Sequence, residues 1–167
     1  RPGLRQLRAD RPLLVLLLGV TAVAFGAEPS VTLAPVLAHD LGGGADLVGW
    51  LASSFGAGAA LGFFMFGPLH ARLSLARLTH GGLLLMAAGL TCASLSTVQA
   101  LALASYGMAG VGMTLALTSA TTQTQNRSPD ALRGRIMALW FVGFLGARPF
   151  AAGLDGFIAD VVSVQAA

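Results

Sequence analysis

The dominant pattern along this chain is a series of long apolar stretches separated by short polar connections. Five stretches carry almost no charge: residues 12–38, 47–69, 79–97, 98–122 and 136–159. A helix that crosses a bilayer needs about 20 consecutive apolar residues, so each stretch predicts one transmembrane helix. The third and fourth stretches abut, but a single helix of that length would be roughly 66 Å long, about twice the hydrocarbon thickness. We therefore predict a tight hairpin between them.

The fold class that follows is an all-α membrane protein, a polytopic transmembrane helical bundle of five spans. Strands of a membrane barrel alternate apolar and polar residues over about ten positions, whereas these stretches are apolar throughout. Composition points the same way, because 55% of the residues are hydrophobic and only 10% are charged. Ordinary soluble domains carry roughly 25% charged residues.

The basic residues predict the orientation of the chain. All are arginines, and nine of the ten precede the first stretch or follow the second and fourth stretches. The positive-inside rule then predicts that these connections and the N-terminus are cytoplasmic, in the cell inner membrane. The net charge of +3 does not indicate nucleic acid, because the arginines are scattered and form no basic face.

Two arginine-bearing connections are candidates for gating. In "NRSPDALRGR" (126–135), Ser128 suits a helix N-cap, Pro129 the first position, and Asp130 the positive helix end. Arg133 lies three residues after Asp130 and can pair with it. One interpretation is a helix start whose arginines meet lipid phosphates. The other is a latch formed during conformational change; its candidate residues are Arg72, Arg77, Asp130, Arg133 and Arg135.

Small residues at helical spacing predict close helix packing. In the second stretch they form two lines, Ser54–Gly58–Gly62 and Gly49–Ser53–Ala57; in the fourth and fifth they are Gly107, Gly110, Gly112, Gly143, Gly146, Gly153 and Gly156. We also expect Pro149 to bend the last helix. Trp50 and Trp140 lie near the ends of their stretches and are expected in an interfacial aromatic belt.

The chain resembles the C-terminal half of a major facilitator superfamily transporter, in the macrolide-efflux and enterobactin-exporter branch. The resemblance is found in two segments, "TTQTQNRSPDALRGRIMALWFVGFLGARPFAAGLDGFIAD" (121–160) and "GPLHARLSLARL" (67–78), and in the order of a basic linker followed by five spans. The resemblance implies spans equivalent to helices seven to eleven of twelve. It therefore implies a basic cytoplasmic linker at 1–11, a partial transporter half at 12–162, a tail at 163–167, and a missing N-terminal half as partner.

Three charges lie inside predicted spans. At ~1.5 Å per residue, Glu28 lies roughly 24 Å from the cytoplasmic end, Arg148 roughly 18 Å and Asp155 roughly 28 Å. Asp155 is thus close enough to the outer surface to be solvated, whereas Arg148 needs a partner, and Glu28 is the first candidate. Three interpretations stay open for Arg148: structural pairing with Glu28 or freed carbonyls, proton coupling or gating with Glu28, and attraction of an anionic substrate.

The resemblance implies transport of a small molecule by alternating access, specifically proton-coupled efflux of a drug or siderophore-like compound. Import and a non-transporting scaffold or degenerate fragment are the alternatives. The cavity candidates are Glu28, Arg148, Asp155, Tyr106 and Thr118, although Thr118 and its neighbours could equally bond their own helix. No enzyme chemistry, cofactor or metal site is expected. The expected partners are the lipid bilayer, a small-molecule substrate and protons.

Overall fold

The computed structural model describes the backbone of residues 11–161 and the side chains of residues 14–157 apart from 16, 29 and 155. The predicted linker, except its last residue, and the predicted tail lie outside the described residues. Within residues 11–161, seven α-helices follow one another: α1 Arg11–Ala27, α2 Pro29–Thr32, α3 Ala34–Asp40, α4 Ala45–His70, α5 Leu75–Ser94, α6 Gln99–Arg127 and α7 Arg133–Val161. A short 3-10 turn, Asp130–Leu132, precedes α7.

By length and composition, four helices of the described part of the chain can cross a membrane, and the segments Leu17–Thr32 and Ala34–Asp40 make a fifth if they are one bent span. Large apolar side chains also cover the outside of the bundle, among them Phe64 at 75% and Phe150 at 76% exposure. Such a surface suits lipid and not water. The predicted fold class, an all-α polytopic helical bundle, is confirmed.

The first span is broken where the sequence has a Glu–Pro step. α1 ends at Ala27, and the two segments on either side of Leu33 meet at 42°. A proline has no amide hydrogen, so it leaves a carbonyl of the preceding turn without its helical partner. The Ser30 hydroxyl donates to the Ala27 carbonyl oxygen at 2.6 Å, which satisfies a carbonyl at the break.

Helix α6 is the centre of the bundle and packs most extensively on α5 and α4. A Cβ at Gly58 would lie 2.7 Å from the carbonyl carbon of Gly107, and a Cβ at Gly89 would lie 2.7 Å from the Ser105 carbonyl oxygen. The Ser54 hydroxyl donates across the α4–α6 contact to the Leu103 carbonyl oxygen at 2.6 Å. The close packing predicted for the Ser54–Gly58–Gly62 line and for the glycines of the fourth stretch is confirmed.

Helix α7 is attached to the bundle mainly through α1 and α2, and it has few contacts with α6. Ile136, fully buried, packs with Leu17 and Leu139. Farther along, Trp140 packs with Val20 and with Ala120 of α6. The position of α7 therefore depends largely on its contacts with the broken first span.

Several packing predictions are wrong. Gly49, Ser53 and Ala57 are exposed, and a Cβ at Gly49, Gly146, Gly153 or Gly156 would meet nothing within 4 Å, whereas Gly143 abuts the Thr21 hydroxyl. The physical reason is that these residues face away from the neighbouring helices. α7 continues as a helix through Pro149, and the bend expected there stays a prediction.

Of three side chains predicted at helix ends, Trp140 and Ser128 have roles other than the predicted ones, and Trp50 agrees with its prediction. Trp140 is only 5% exposed and stacks on Phe144 at a centroid distance of 5.3 Å, so it is a core residue and not part of an interfacial belt. Trp50, at 66% exposure, has the accessibility that such a belt needs. Ser128 does not cap the following helix, because its hydroxyl donates back to the Thr124 carbonyl oxygen of α6 at 2.6 Å.

Candidate functional site

The candidate site is an ion pair between the first and last spans. The Arg148 Nε atom donates to the Glu28 Oε2 atom at 2.7 Å. The two residues are 120 positions apart in sequence, so the contact ties α7 to the break between α1 and α2. The structure thus brings together the two charges that the depth estimate placed at similar levels.

The helix break explains why a carboxylate can be held at this point. Glu28 is the single residue between α1 and α2, and its carbonyl oxygen accepts from the amides of Val31 and Thr32. The Thr32 hydroxyl donates to the same carbonyl oxygen at 3.1 Å. The backbone at Glu28 is therefore fixed by hydrogen bonds within α2, and the side chain extends towards α7.

The two partners differ in exposure. The Glu28 side chain is 9% exposed, whereas the Arg148 side chain is 41% exposed. A charge inside a spanning segment is costly unless it faces protein or water. The carboxylate is enclosed by this chain, but part of the Arg148 side chain lies on a face that the described residues leave open.

Of the other cavity candidates, the described ones, Tyr106 and Thr118, do not join this pair. The side chain of Asp155 lies outside the described residues. Tyr106 is 3% exposed and belongs to an apolar cluster with Leu51 and Ala102, with Phe55 edge-on at 6.4 Å. Thr118 is partly buried on α6, and its carbonyl oxygen accepts from the Thr122 hydroxyl at 2.8 Å. A role for Tyr106 or Thr118 in a cavity stays a prediction.

The loop candidates lie together at the arginine-rich end of the bundle. Arg133 pairs with Asp130 at 2.6 Å, as the three-residue spacing predicted. Arg72, Arg77 and Arg135 are exposed, and the Arg77 amide donates to the Ser74 hydroxyl that caps α5. An exposed helix start accounts for this geometry, and the latch role stays a prediction.

Sequence reasoning missed a polar contact between α5 and α6. The Gln123 side-chain amide donates to the Thr79 hydroxyl at 2.9 Å. One turn earlier, the Ser119 hydroxyl is fully buried and has no hydrogen-bond partner among the described residues. The buried indole nitrogen of Trp140 also has no hydrogen-bond partner among them. Polar residues at helical spacing in adjacent spans are a signal for such contacts, but they do not say which residues meet.

Long apolar helices around a partly buried ion pair define a multi-pass membrane protein. The family profile described as Major Facilitator Superfamily matches residues 14–167, and the chain belongs to this superfamily. The family is one of membrane transporters of small molecules. No curated protein and no solved structure matches the chain.

Proposed function

We propose that this chain is part of a proton-coupled transporter in which the Glu28–Arg148 pair is the proton-responsive contact. The observation that carries the proposal is a nearly buried carboxylate, paired at 2.7 Å with an arginine, at the one-residue interruption between α1 and α2, five residues before the 42° bend at Leu33. Of the described residues, these two supply the charged side chains that lie well inside a span.

Protonation would act on this contact directly. An ionised Glu28 neutralises Arg148, and a protonated Glu28 leaves the guanidinium charge uncompensated. A hydrogen bond between charged groups contributes about 1.5–3 kcal/mol, which is a factor of roughly 10–150 in an equilibrium. That is enough to bias the position of α7 relative to α1 and α2, because α7 has few other attachments.

The transport cycle we propose is alternating access together with a second six-helix half. Inverted and parallel repeats of this kind bind substrate near the bilayer midplane, where broken helices line the site. The arginine-rich end is proposed to be cytoplasmic and the protein to lie in the cell inner membrane. The resemblance implies efflux of a drug or siderophore-like compound in exchange for protons; import is the alternative.

A structural clamp is the second candidate role for the ion pair. The observation that favours it is the sparse contact between α6 and α7, which leaves α7 dependent on the first span. The two roles make different predictions for a variant in which both charges become amides. Such a variant keeps a neutral polar pair. If the pair couples protons to transport, the variant should fold, but its transport should no longer depend on the pH gradient. If the pair is a structural clamp, the variant should be less stable, but its transport should still depend on the pH gradient.

The test uses the full-length transporter in proteoliposomes with an imposed pH gradient. Transport of a panel of fluorescent anions, cations and neutral compounds is measured for wild type, Glu28→Gln and Asp46→Asn. Asp46 is an exposed carboxylate in the first turn of α4, so its variant removes the same charge from a different place. We expect gradient-driven transport to be lost in Glu28→Gln and kept in Asp46→Asn. Unchanged gradient dependence in Glu28→Gln would rule out the proposed role.

A further inference from the structure

The Arg148 guanidinium is only partly used by its ion pair. Within the described part of the chain, Nε is the one guanidinium nitrogen that forms a hydrogen bond. The two terminal nitrogens, Nη1 and Nη2, keep their donors, and 41% of the side chain is exposed. A guanidinium can present two parallel donors to one carboxylate, which is the geometry of strong bidentate recognition.

The surface next to these donors is apolar. Phe141 is 53% exposed and Leu145 is 55% exposed, and both lie within two turns of Arg148 on its side of α7. Lipid tails would be a poor environment for the exposed part of the guanidinium, because a charge in hydrocarbon costs a few kcal/mol or more. This face therefore suits a water-accessible site with one cationic point and an apolar wall.

We infer that Arg148, through Nη1 and Nη2, binds the carboxylate of a small amphipathic anion whose apolar part lies against Phe141 and Leu145. Glu28 is then a positioning residue, because its contact with Nε fixes the plane of the guanidinium. The inference rests on the proposed function, since it takes the open face of Arg148 to be the transport cavity. It deepens that proposal by naming the substrate class.

The charges also determine how substrate and proton affect one another. Besides Glu28 and Arg148, the charged or titratable groups described on the helices around the pair are Tyr106, which lies in the apolar cluster of α6, and groups at helix ends: His39, Asp40, Arg127, Arg133 and Arg135. A bound anion therefore adds negative charge beside Glu28, and protonation of Glu28 removes that repulsion. Anion and proton therefore favour each other's binding, and each raises the affinity for the other by the same factor.

The experiment measures binding to the full-length transporter in lipid nanodiscs, by calorimetry and without any gradient. Three probes share one apolar body and differ in charge: 3-phenylpropanoate, 3-phenylpropanamide and 3-phenylpropylammonium. For wild type we expect the carboxylate to bind at least tenfold more tightly than either of the others. Glu28→Gln should bind it as tightly or several-fold more tightly.

The double variant Glu28→Gln/Arg148→Gln should lose the preference, to within twofold, and Arg135→Gln, which removes an exposed loop arginine, should keep it. Arg148→Lys retains the charge without the planar fork and should reduce the preference at least fivefold; it keeps the test decisive if the double variant does not fold. Equal binding of the three probes to wild type, no binding of any, or a preference that survives loss of Arg148 would overturn the inference.

The outcomes separate this inference from the proposed function. Carboxylate preference that depends on Arg148, in a protein whose transport ignores the pH gradient, would support the anion site and reject proton coupling. Gradient-driven transport that depends on Glu28, without a carboxylate preference, would do the reverse.

Discussion

Replacing Gly58 by alanine should separate two helices of the bundle. The added Cβ would overlap the carbonyl oxygen of Gly107 and lie 2.7 Å and 2.9 Å from its carbonyl carbon and Cα. Nonbonded carbon atoms are comfortable at about 3.5–4.0 Å, so the backbones of α4 and α6 must move apart by about 1 Å. All three neighbouring atoms are backbone, so a change of side-chain rotamer cannot relieve the overlap.

The expected cost has two parts. Overpacking of a tight contact typically costs about 1–3 kcal/mol. A shift of about 1 Å would also stretch the 2.6 Å bond from Ser54 to the Leu103 carbonyl oxygen beyond hydrogen-bonding distance, at a cost of about 0.5–1.5 kcal/mol. We therefore expect Gly58→Ala to lower the free energy of unfolding by about 2–4 kcal/mol.

Gly56→Ala is the matched control, because a Cβ at this position of the same helix meets nothing within 4 Å. The assay is reversible unfolding of the purified protein in mixed micelles, followed by circular dichroism. Gly56→Ala should be neutral, or stabilising by up to about 1 kcal/mol because alanine is the better helix former. Equal unfolding free energies for the two variants would refute the packing described between α4 and α6.

Three further predictions follow from individual contacts. Trp140→Phe removes a buried indole nitrogen that has no described partner and keeps a ring to stack on Phe144, so the unfolding free energy should change by less than about 1.5 kcal/mol. Trp140→Ala removes the ring as well and should cost about 3–5 kcal/mol in the same unfolding assay. Asp130→Asn breaks an exposed pair with Arg133 and should cost less than about 1 kcal/mol; a larger loss would indicate that the latch is more than a surface contact. Gly146→Ala should leave the melting midpoint unchanged or raise it slightly, and a clear decrease would contradict the open space at that position.

The helices could be predicted from sequence because hydropathy over about 20 residues is a strong signal. Pairing of Glu28 with Arg148 was accessible for a related reason: helix rise converts sequence position into depth, and two opposite charges at similar depth need each other. The Asp130–Arg133 contact followed from local spacing alone. Each of these predictions needs only the residue pattern along one helix or the depth of a residue in the membrane.

Contacts between particular helix faces were harder to predict. Glycine lines occur on several faces of α4 and α7, but only those that meet α6 or α1 are packed, and sequence spacing alone does not say which face has a neighbour. Trp140 was misplaced for the same reason, since an indole near a helix end suits either an interface or a core. The chain contains a proline in both the first and the last span, but only one of them interrupts a helix. The backbone leaves the helix at Glu28, next to Pro29, whereas the backbone around Pro149 stays helical.

The most direct test of the account is whether Glu28 itself takes up a proton. Infrared difference spectroscopy of the full-length transporter, recorded across the pH range in which transport is active, detects the carbonyl band of a protonated carboxylic acid. The account predicts a band that appears on acidification in wild type and in Asp46→Asn and is absent in Glu28→Gln. A spectrum of Glu28→Gln with the same band as wild type would contradict the claim that this ion pair responds to protons.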